Sequence, residues 1–302
     1  MTANGAVHLA HLGVIRAQGA DACTFLQGQL TGDVVAQPPG EARLAGFCSA
    51  KGRLQASFWV VKRSGDDVLM VCSADLLEAT RKRLSMFVLR AQCRLTDERA
   101  SMPVLGCVGD AAAVHTRDLA MRAWREGGDG SVVVRLPDAA GVVRAIVIGA
   151  SARTSPAAGE APMSLETWRW LEVESGIPLI EAATVDRFVP QMINFETVGG
   201  VDFRKGCYPG QEVVARSQYR GTIKRRMRLF DAPVALAAAD EVFHDGDPSQ
   251  PAGLVVNAAR RPDEGWSALV EVKLAALETG ALHVRAPDGP VLEPRALPYP
   301  VD

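Results

Sequence analysis

A chain of 302 residues, 48% hydrophobic and 23% charged, is long enough for about two packed domains. Its formal net charge of −2 excludes a general attraction to nucleic acid or to an anionic membrane. No apolar run of about 18 residues reads as a membrane-spanning helix, and the first residues lack the basic-then-apolar pattern of a secretory signal, so a cytoplasmic protein is expected.

Residues 7 to 16 alternate loosely between apolar and polar, as in a strand. Residues 20 to 30 (ADACTFLQGQL) predict a short helix with Asp21 as its N-cap, ended by Thr31-Gly32-Asp33. Residues 42 to 48 and 54 to 62 predict two strands joined by the hairpin-like turn Ser49 to Arg53, and Val68 to Cys72 a third. Ser73 then caps an amphipathic helix, SADLLEATRKRLSMFVLR. Leu76, Leu77, Leu84, Phe87 and Val88 recur at core spacing, and Arg81, Lys82 and Arg83 lie on the wet side. Residues 92 to 96 and 103 to 108 predict strands, Asp110 to His115 the start of a helix, and 131 to 136 and 142 to 148 further strands. The stretch 151 to 163 (SARTSPAAGEAPM) has loop composition. Ser164 caps the helix SLETWRWLEVESG, with Glu166 in its first turn, Gly176 near its end and Pro178 as its stop. An apolar stretch, Phe188 to Phe195, leads into the next loop. From Thr222 the pattern changes to short strands at 222 to 230, 241 to 244, 252 to 257, 266 to 272 and 282 to 286. Turn signals at 245 to 248 and 287 to 290 punctuate them, and the whole predicts a small β-barrel or sandwich.

The six cysteines are scattered without a CxxC pair, and His8 and His11 have no acidic or thiol partner beside them. No metal site is therefore expected, and no disulfides in a long cytosolic chain. The most distinctive stretch is residues 205 to 212, KGCYPGQE. A thiolate is the reactive form of cysteine, and adjacent cations such as Arg204 and Lys205 favour it. Gly206 and Gly210 permit close backbone approaches, and Pro209 favours a turn. The segment has the features of a loop that presents a thiol. The bland alternative is an ordinary tight turn with Cys207 packed as a small hydrophobe.

The blocks VESGIP (173 to 178), FVPQMIN (188 to 194), KGCYPGQEVVAR (205 to 216) and YRGTIKRRM (219 to 227) resemble the YgfZ family of folate-binding proteins. These are relatives of the aminomethyltransferase (T-protein) of the glycine cleavage system. FLQGQLTGDV (25 to 34) and FCSAKGR (47 to 53) are similar too, so the resemblance spans most of the chain. It implies a GcvT-like α+β fold with two intertwined ferredoxin-like units around a central folate site, here residues 1–220. A C-terminal antiparallel β-barrel, here 221–302, would follow.

The resemblance also implies tetrahydrofolate or a related reduced folate as cofactor. It implies a role in assembly or repair of iron–sulfur client enzymes, including ones that modify transfer RNA. Cys207 and Lys205 would carry the chemistry. Glu174 matches the position that meets the pterin, whose ring N–H and amino donors suit a carboxylate; its alternative is a helix residue paired with a neighbour. The family signature extends through Tyr208, Gln211 and Glu212. Candidates for the carboxylate tail of the folate are Arg216, Arg220, Arg225, Lys51 and Arg53, each otherwise a solvated charge. Tyr208 or Trp170 could flank the pterin, with core packing favoured for Trp170.

The transferase carries paired aspartates where this chain has Lys51 to Ser57 without a carboxylate, which counts against aminomethyl transfer. That one-carbon transfer stands as the alternative, and an RNA-binding module built on Lys224, Arg225, Arg226 and Arg228 as a second. Direct nucleic-acid binding is not expected, because apolar residues interleave with that cluster as in a half-buried strand. No membrane partner is expected. The oligomeric state stays open, with a monomer favoured.

Overall fold

A computed structural model describes residues 3–149, 162–219 and 223–301. The chain opens with β1 (Gly5–His8), β2 (Leu12–Gln18), α1 (Ala22–Gln27), β3 (Ala42–Cys48), β4 (Leu54–Lys62), β5 (Asp67–Ser73), α2 (Ala74–Ser85) and β6 (Arg94–Asp97). It continues with β7 (Val104–Val108), α3 (Asp110–Thr116), β8 (Trp124–Glu126), β9 (Val132–Ala139), β10 (Val142–Ile148), α4 (Leu165–Glu174) and α5 (Gln211–Tyr219). The last part holds β11 (Arg225–Ala232), β12 (Glu241–His244), β13 (Gly253–Arg260), β14 (Trp266–Lys273), β15 (Leu282–Val284) and β16 (Glu293–Arg295).

These strands form three antiparallel sheets. The first runs β3-β4-β5-β2-β6, the second β1-β7-β10-β9-β8, and the third β15-β12-β13-β14-β11-β16. The chain starts in the second sheet, leaves to build all of the first, and returns, so the two sheets are interwoven. The third sheet has β15 and β16 as its edges. It shares a core with the rest: Met227, Leu229, Val256 and Leu269 pack with Leu44, Val173, Phe188 and Phe195. Asn194, in a left-handed conformation, docks the preceding turn onto β11 by donating to Met227 O at 2.9 Å and accepting from Met227 N.

Local details depart from the sequence pattern where long-range contacts take over. The strand expected over 7 to 16 is two strands in different sheets, divided by a tight turn in which Leu12 N donates to Leu9 O. The helix expected to run to Arg90 ends at Ser85. Met86, Phe87 and Leu89 are 71%, 43% and 87% exposed, and Val88 alone of the expected Phe87–Val88 pair packs against the core. The chain unwinds there to reach β6, tied down where Asp21 N donates to Gln92 O and Gln92 N to the Asp21 carboxylate. That carboxylate therefore does not cap α1. Ser164 does cap α4, accepting from Thr167 N at 3.1 Å. The loop expected over 151 to 163 lies, except for its last two residues, outside the described residues. Among the described residues, no helix is long and apolar enough to cross a membrane.

Candidate functional site

Helix α4 turns a buried face inward that carries Trp168, Leu171 and Val173. Trp168 lies flat against β7 because position 106 is glycine; a Cβ there would sit 2.6 Å from the indole ring. One turn further on, Glu172 is within reach of the same ring, as residues four apart on a helix are. Trp168 Nε1 donates to Glu172 Oε1 at 2.8 Å. From the turn between β1 and β2, His11 Nε2 lies 2.9 Å from Oε2 and 3.1 Å from Oε1 of the same carboxylate. Arg144 of β10 is buried over the other part of this cluster, 5.7 Å from the Trp168 ring centroid and donating to Pro137 O at 3.1 and 3.2 Å. Burial pulls the Arg144 pKa down to about 10, partly opposed by the charges of Glu172 and Asp138. Burial also pushes the Glu172 pKa up, but His11, Trp168 and Arg144 together outweigh it and hold the carboxyl below its ordinary value.

Beside this cluster lies a small, partly enclosed cavity of about 60 Å³. Leu44 and Trp59 of the first sheet and Ile146 of the second form apolar walls, and Ser57, Glu172 and Ser175 supply polar atoms. The Glu172 side chain is 25% exposed, and it is among the residues lining this cavity. An apolar cleft with a few converging polar groups is the usual form of a small-molecule site. Sequence reasoning missed Glu172. The available signal was the Trp-x-x-x-Glu spacing on a predicted helix; the partner His11 is 161 residues away and gives no local sign.

Glu174, the residue matched to the pterin position, is buried at the end of the same helix. Arg295 of β16 holds it in a two-pronged pair at 2.6 and 2.9 Å and also reaches Asp231 at 3.2 Å. It is not among the cavity-lining residues, though it lies two positions along α4 from Glu172. Trp170 packs against two hydrophobic clusters of the interior.

The cysteine loop packs elsewhere, at the end of the first sheet. Cys207 is exposed. Lys205 is buried, and its ammonium donates to the carbonyls of Gln27, the last residue of α1, and of Leu30 just beyond it, the second at 2.6 Å. It also lies 5.0 Å from the centroid of the buried Tyr208 ring. Burial brings the Lys205 pKa down to about 8, against the opposing charges of Asp33, Asp202 and Cys207. Lys205 thus fastens the loop to α1 while staying within electrostatic reach of the Cys207 sulfur.

Two glycine turns meet here. Gly52 and Gly210 both have positive φ, +70° and +78°. A Cβ on Gly210 would sit 2.3 Å from Ser49 O and 2.6 Å from Gly52 Cα. The turn bearing Lys51 and Arg53 therefore lies directly against the cysteine loop. Lys51 is exposed, and Arg53 donates to Arg187 O. Gln211 is half-buried at the start of α5, and Glu212 and Arg216 form an exposed pair at 2.9 Å on its outer side. Arg220 lies outside the described residues. Arg225 and Arg226 turn to internal partners, Glu271 and Glu196. Leu44 at the cavity and Cys48 near Tyr208 are four residues apart on β3. At ~3.3 Å per residue the loop and the cavity are ~13 Å apart along that strand. Among the described residues, no three potential metal-ligating side chains converge.

No family model matches the chain. Among solved structures, it is similar to the glycine cleavage system aminomethyltransferase T from Bartonella henselae. That likeness has 16% identity and a TM-score of 0.76 and covers 98% of this chain and 86% of that one. A likeness to the heterotetrameric sarcosine oxidase from Corynebacterium sp. U-96 has 15% identity and a TM-score of 0.32, covering 49% and 77%. The first shows that this chain has the aminomethyltransferase T fold.

Proposed function

We propose that this chain binds tetrahydrofolate or a related reduced folate in the cavity beside α4. In this reading it acts as an accessory protein for assembly or repair of iron–sulfur enzymes, including ones that modify transfer RNA. The observation that carries the folate part is the cavity itself: apolar walls and an oriented carboxylate, Glu172, in a fold shared with an aminomethyltransferase. A carboxylate accepts two N–H donors side by side, as the edge of a reduced pterin offers them. Glu172 is the acid at hand; Glu174 would join it only by leaving Arg295. The accessory role rests on the KGCYPGQE block and on the exposure of Cys207, whose thiol is offered to a client in thiol or redox chemistry.

Calorimetric titration with tetrahydrofolate separates the parts. Glu172→Gln should weaken binding about tenfold or more, since a hydrogen bond to a charged group contributes ~1.5–3 kcal/mol. Glu174→Gln should weaken it less. Equal affinity in wild type and Glu172→Gln would remove the cavity carboxylate from the site, and the absence of binding would end the folate reading.

Aminomethyl transfer is the second reading. The whole-chain likeness to aminomethyltransferase T favours it, and Glu172 beside His11 is a carboxylate–imidazole pair able to handle a proton. The loop at 51 to 57 still lacks an acid. Formation of ammonia and methylenetetrahydrofolate from an aminomethyl donor and tetrahydrofolate would decide for it.

A further inference from the structure

Between Glu78 and Asp97 the chain carries five cations, Arg81, Lys82, Arg83, Arg90 and Arg94, and no acid, although the whole chain has a net charge of −2. The acids at the borders of this stretch are already engaged. Glu78 pairs with Arg81 at 3.0 Å and with Lys82 at 3.2 Å, Asp97 pairs with Arg99 at 2.6 Å, and the Asp21 carboxylate accepts from Gln92 N at 2.7 Å. Arg83, Arg90 and Arg94 are exposed and have no ion pair among the described residues.

Met86, Phe87 and Leu89 stand among these cations, on the segment that leaves α2. Residues three and four apart on a helix are neighbours, which puts Lys82 and Arg83 beside Met86. Met86 at 71% and Leu89 at 87% exposure project from the surface, whereas side chains lining a groove are shielded by its walls. The backbone beneath them is fixed. Val88, Ala91 and Cys93 pack against the core of the first sheet, and the two hydrogen bonds between Asp21 and Gln92 tie the segment down. The last carbonyls of α2 are satisfied: Met86 N donates to Arg83 O at 3.3 Å, Phe87 N to Leu84 O at 3.0 Å and Val88 N to Ser85 O at 3.2 Å. This knob can therefore leave water without stranding those groups.

We propose that the knob seats the protein on an anionic lipid surface. Met86, Phe87 and Leu89 enter between the headgroups, and Lys82, Arg83, Arg90 and Arg94 face the lipid phosphates. Apolar side chains and a basic patch are two signals that together hold a peripheral protein on such a surface. A convex knob suits a surface that deforms around it, whereas a peptide is taken up by a groove or a sheet edge. A second copy of the chain fits poorly, because it would bring the same cations face to face. The lipid contact is independent of folate binding.

Co-sedimentation of the full chain with phosphatidylglycerol–phosphatidylcholine vesicles tests this, with pure phosphatidylcholine vesicles beside them. Wild type should bind the mixed vesicles about tenfold or more tighter than the neutral ones, and added salt should weaken that binding. Met86→Ser/Leu89→Ser should weaken binding to the mixed vesicles about tenfold, through lost apolar burial. Arg90→Glu/Arg94→Glu should weaken it as much or more. All four positions are exposed, so urea unfolding at the wild-type midpoint reports that each variant is folded. Lys224→Glu/Arg260→Glu makes the same charge change at exposed positions of the third sheet and should leave binding within about twofold of wild type. Equal binding by wild type and Met86→Ser/Leu89→Ser, or a loss in Lys224→Glu/Arg260→Glu as large as in Arg90→Glu/Arg94→Glu, would overturn the knob as the lipid contact. No binding of wild type to the mixed vesicles would overturn the lipid surface itself and turn the patch over to an acidic protein partner.

Discussion

Replacing Lys205 by methionine should change how stability depends on pH more than it changes the fold. The ammonium sits in the interior with two carbonyl acceptors and the Tyr208 ring, and burial lowers its pKa from 10.5 to about 8. Below pH 8 the folded chain holds the proton at a cost that the unfolded chain does not bear. Between about 8 and 10.5 the unfolded chain binds more protons than the folded one, so this residue makes stability rise with pH across that window. The fall from 10.5 to about 8 corresponds to ~3 kcal/mol in full, of which ~2 kcal/mol is recovered between pH 7 and pH 10. Urea unfolding of wild type and Lys205→Met at the two pH values gives the double difference directly. The methionine variant should lack that ~2 kcal/mol rise, whatever its absolute stability. The same rise in both proteins would mean that Lys205 is not desolvated, and that its ammonium instead reaches solvent beside Cys207.

Gly210→Ala should destabilise the chain by ~2 kcal/mol or more, because the backbone there has positive φ and the new Cβ meets Ser49 O and Gly52. Alkylation of Cys207 should speed up in the same variant as the loop lifts; unchanged stability and labelling would contradict the close packing of the two turns. Arg295→Met leaves Glu174 buried without its counter-ion and should cost ~2–3 kcal/mol, discounted because the arginine is 35% exposed. The double variant Arg295→Met/Glu174→Met should recover most of that loss, and additive losses in the cycle would count against a coupled pair. Cys207→Ser should unfold at the same denaturant concentration as wild type yet fail to support client iron–sulfur enzyme activity in cells. Full complementation would remove the thiol from the function.

Short-range signals located much of the molecule. The Ser164 cap and the Pro178 stop bracketed α4, glycines 52 and 210 marked turns that each need positive φ, and the turn-rich tail gave its strands. These features are local, and the residues that make them are neighbours in sequence. What stayed hidden depends on pairing across the chain. His11 had no partner in its own vicinity because its partner is Glu172. Glu174 looked available on a helix because Arg295, 121 residues later, is invisible from there. The apolar run after α2 read as more helix because periodicity does not record that the chain must reach β6 beside β2. Arg225 and Arg226 read as a basic cluster, and the acids that engage them come from β14 and from the segment before α5.

The crossing of the chain between the first two sheets has a consequence for biogenesis. β1 pairs with β7, its Gly5 opposite Val108, so roughly a hundred residues must leave the ribosome before that strand finds its neighbour. By then every strand of the β3-β4-β5-β2-β6 sheet has been synthesised, and that sheet can close first while β1 waits as an unpaired edge, the kind of surface on which nascent chains associate wrongly.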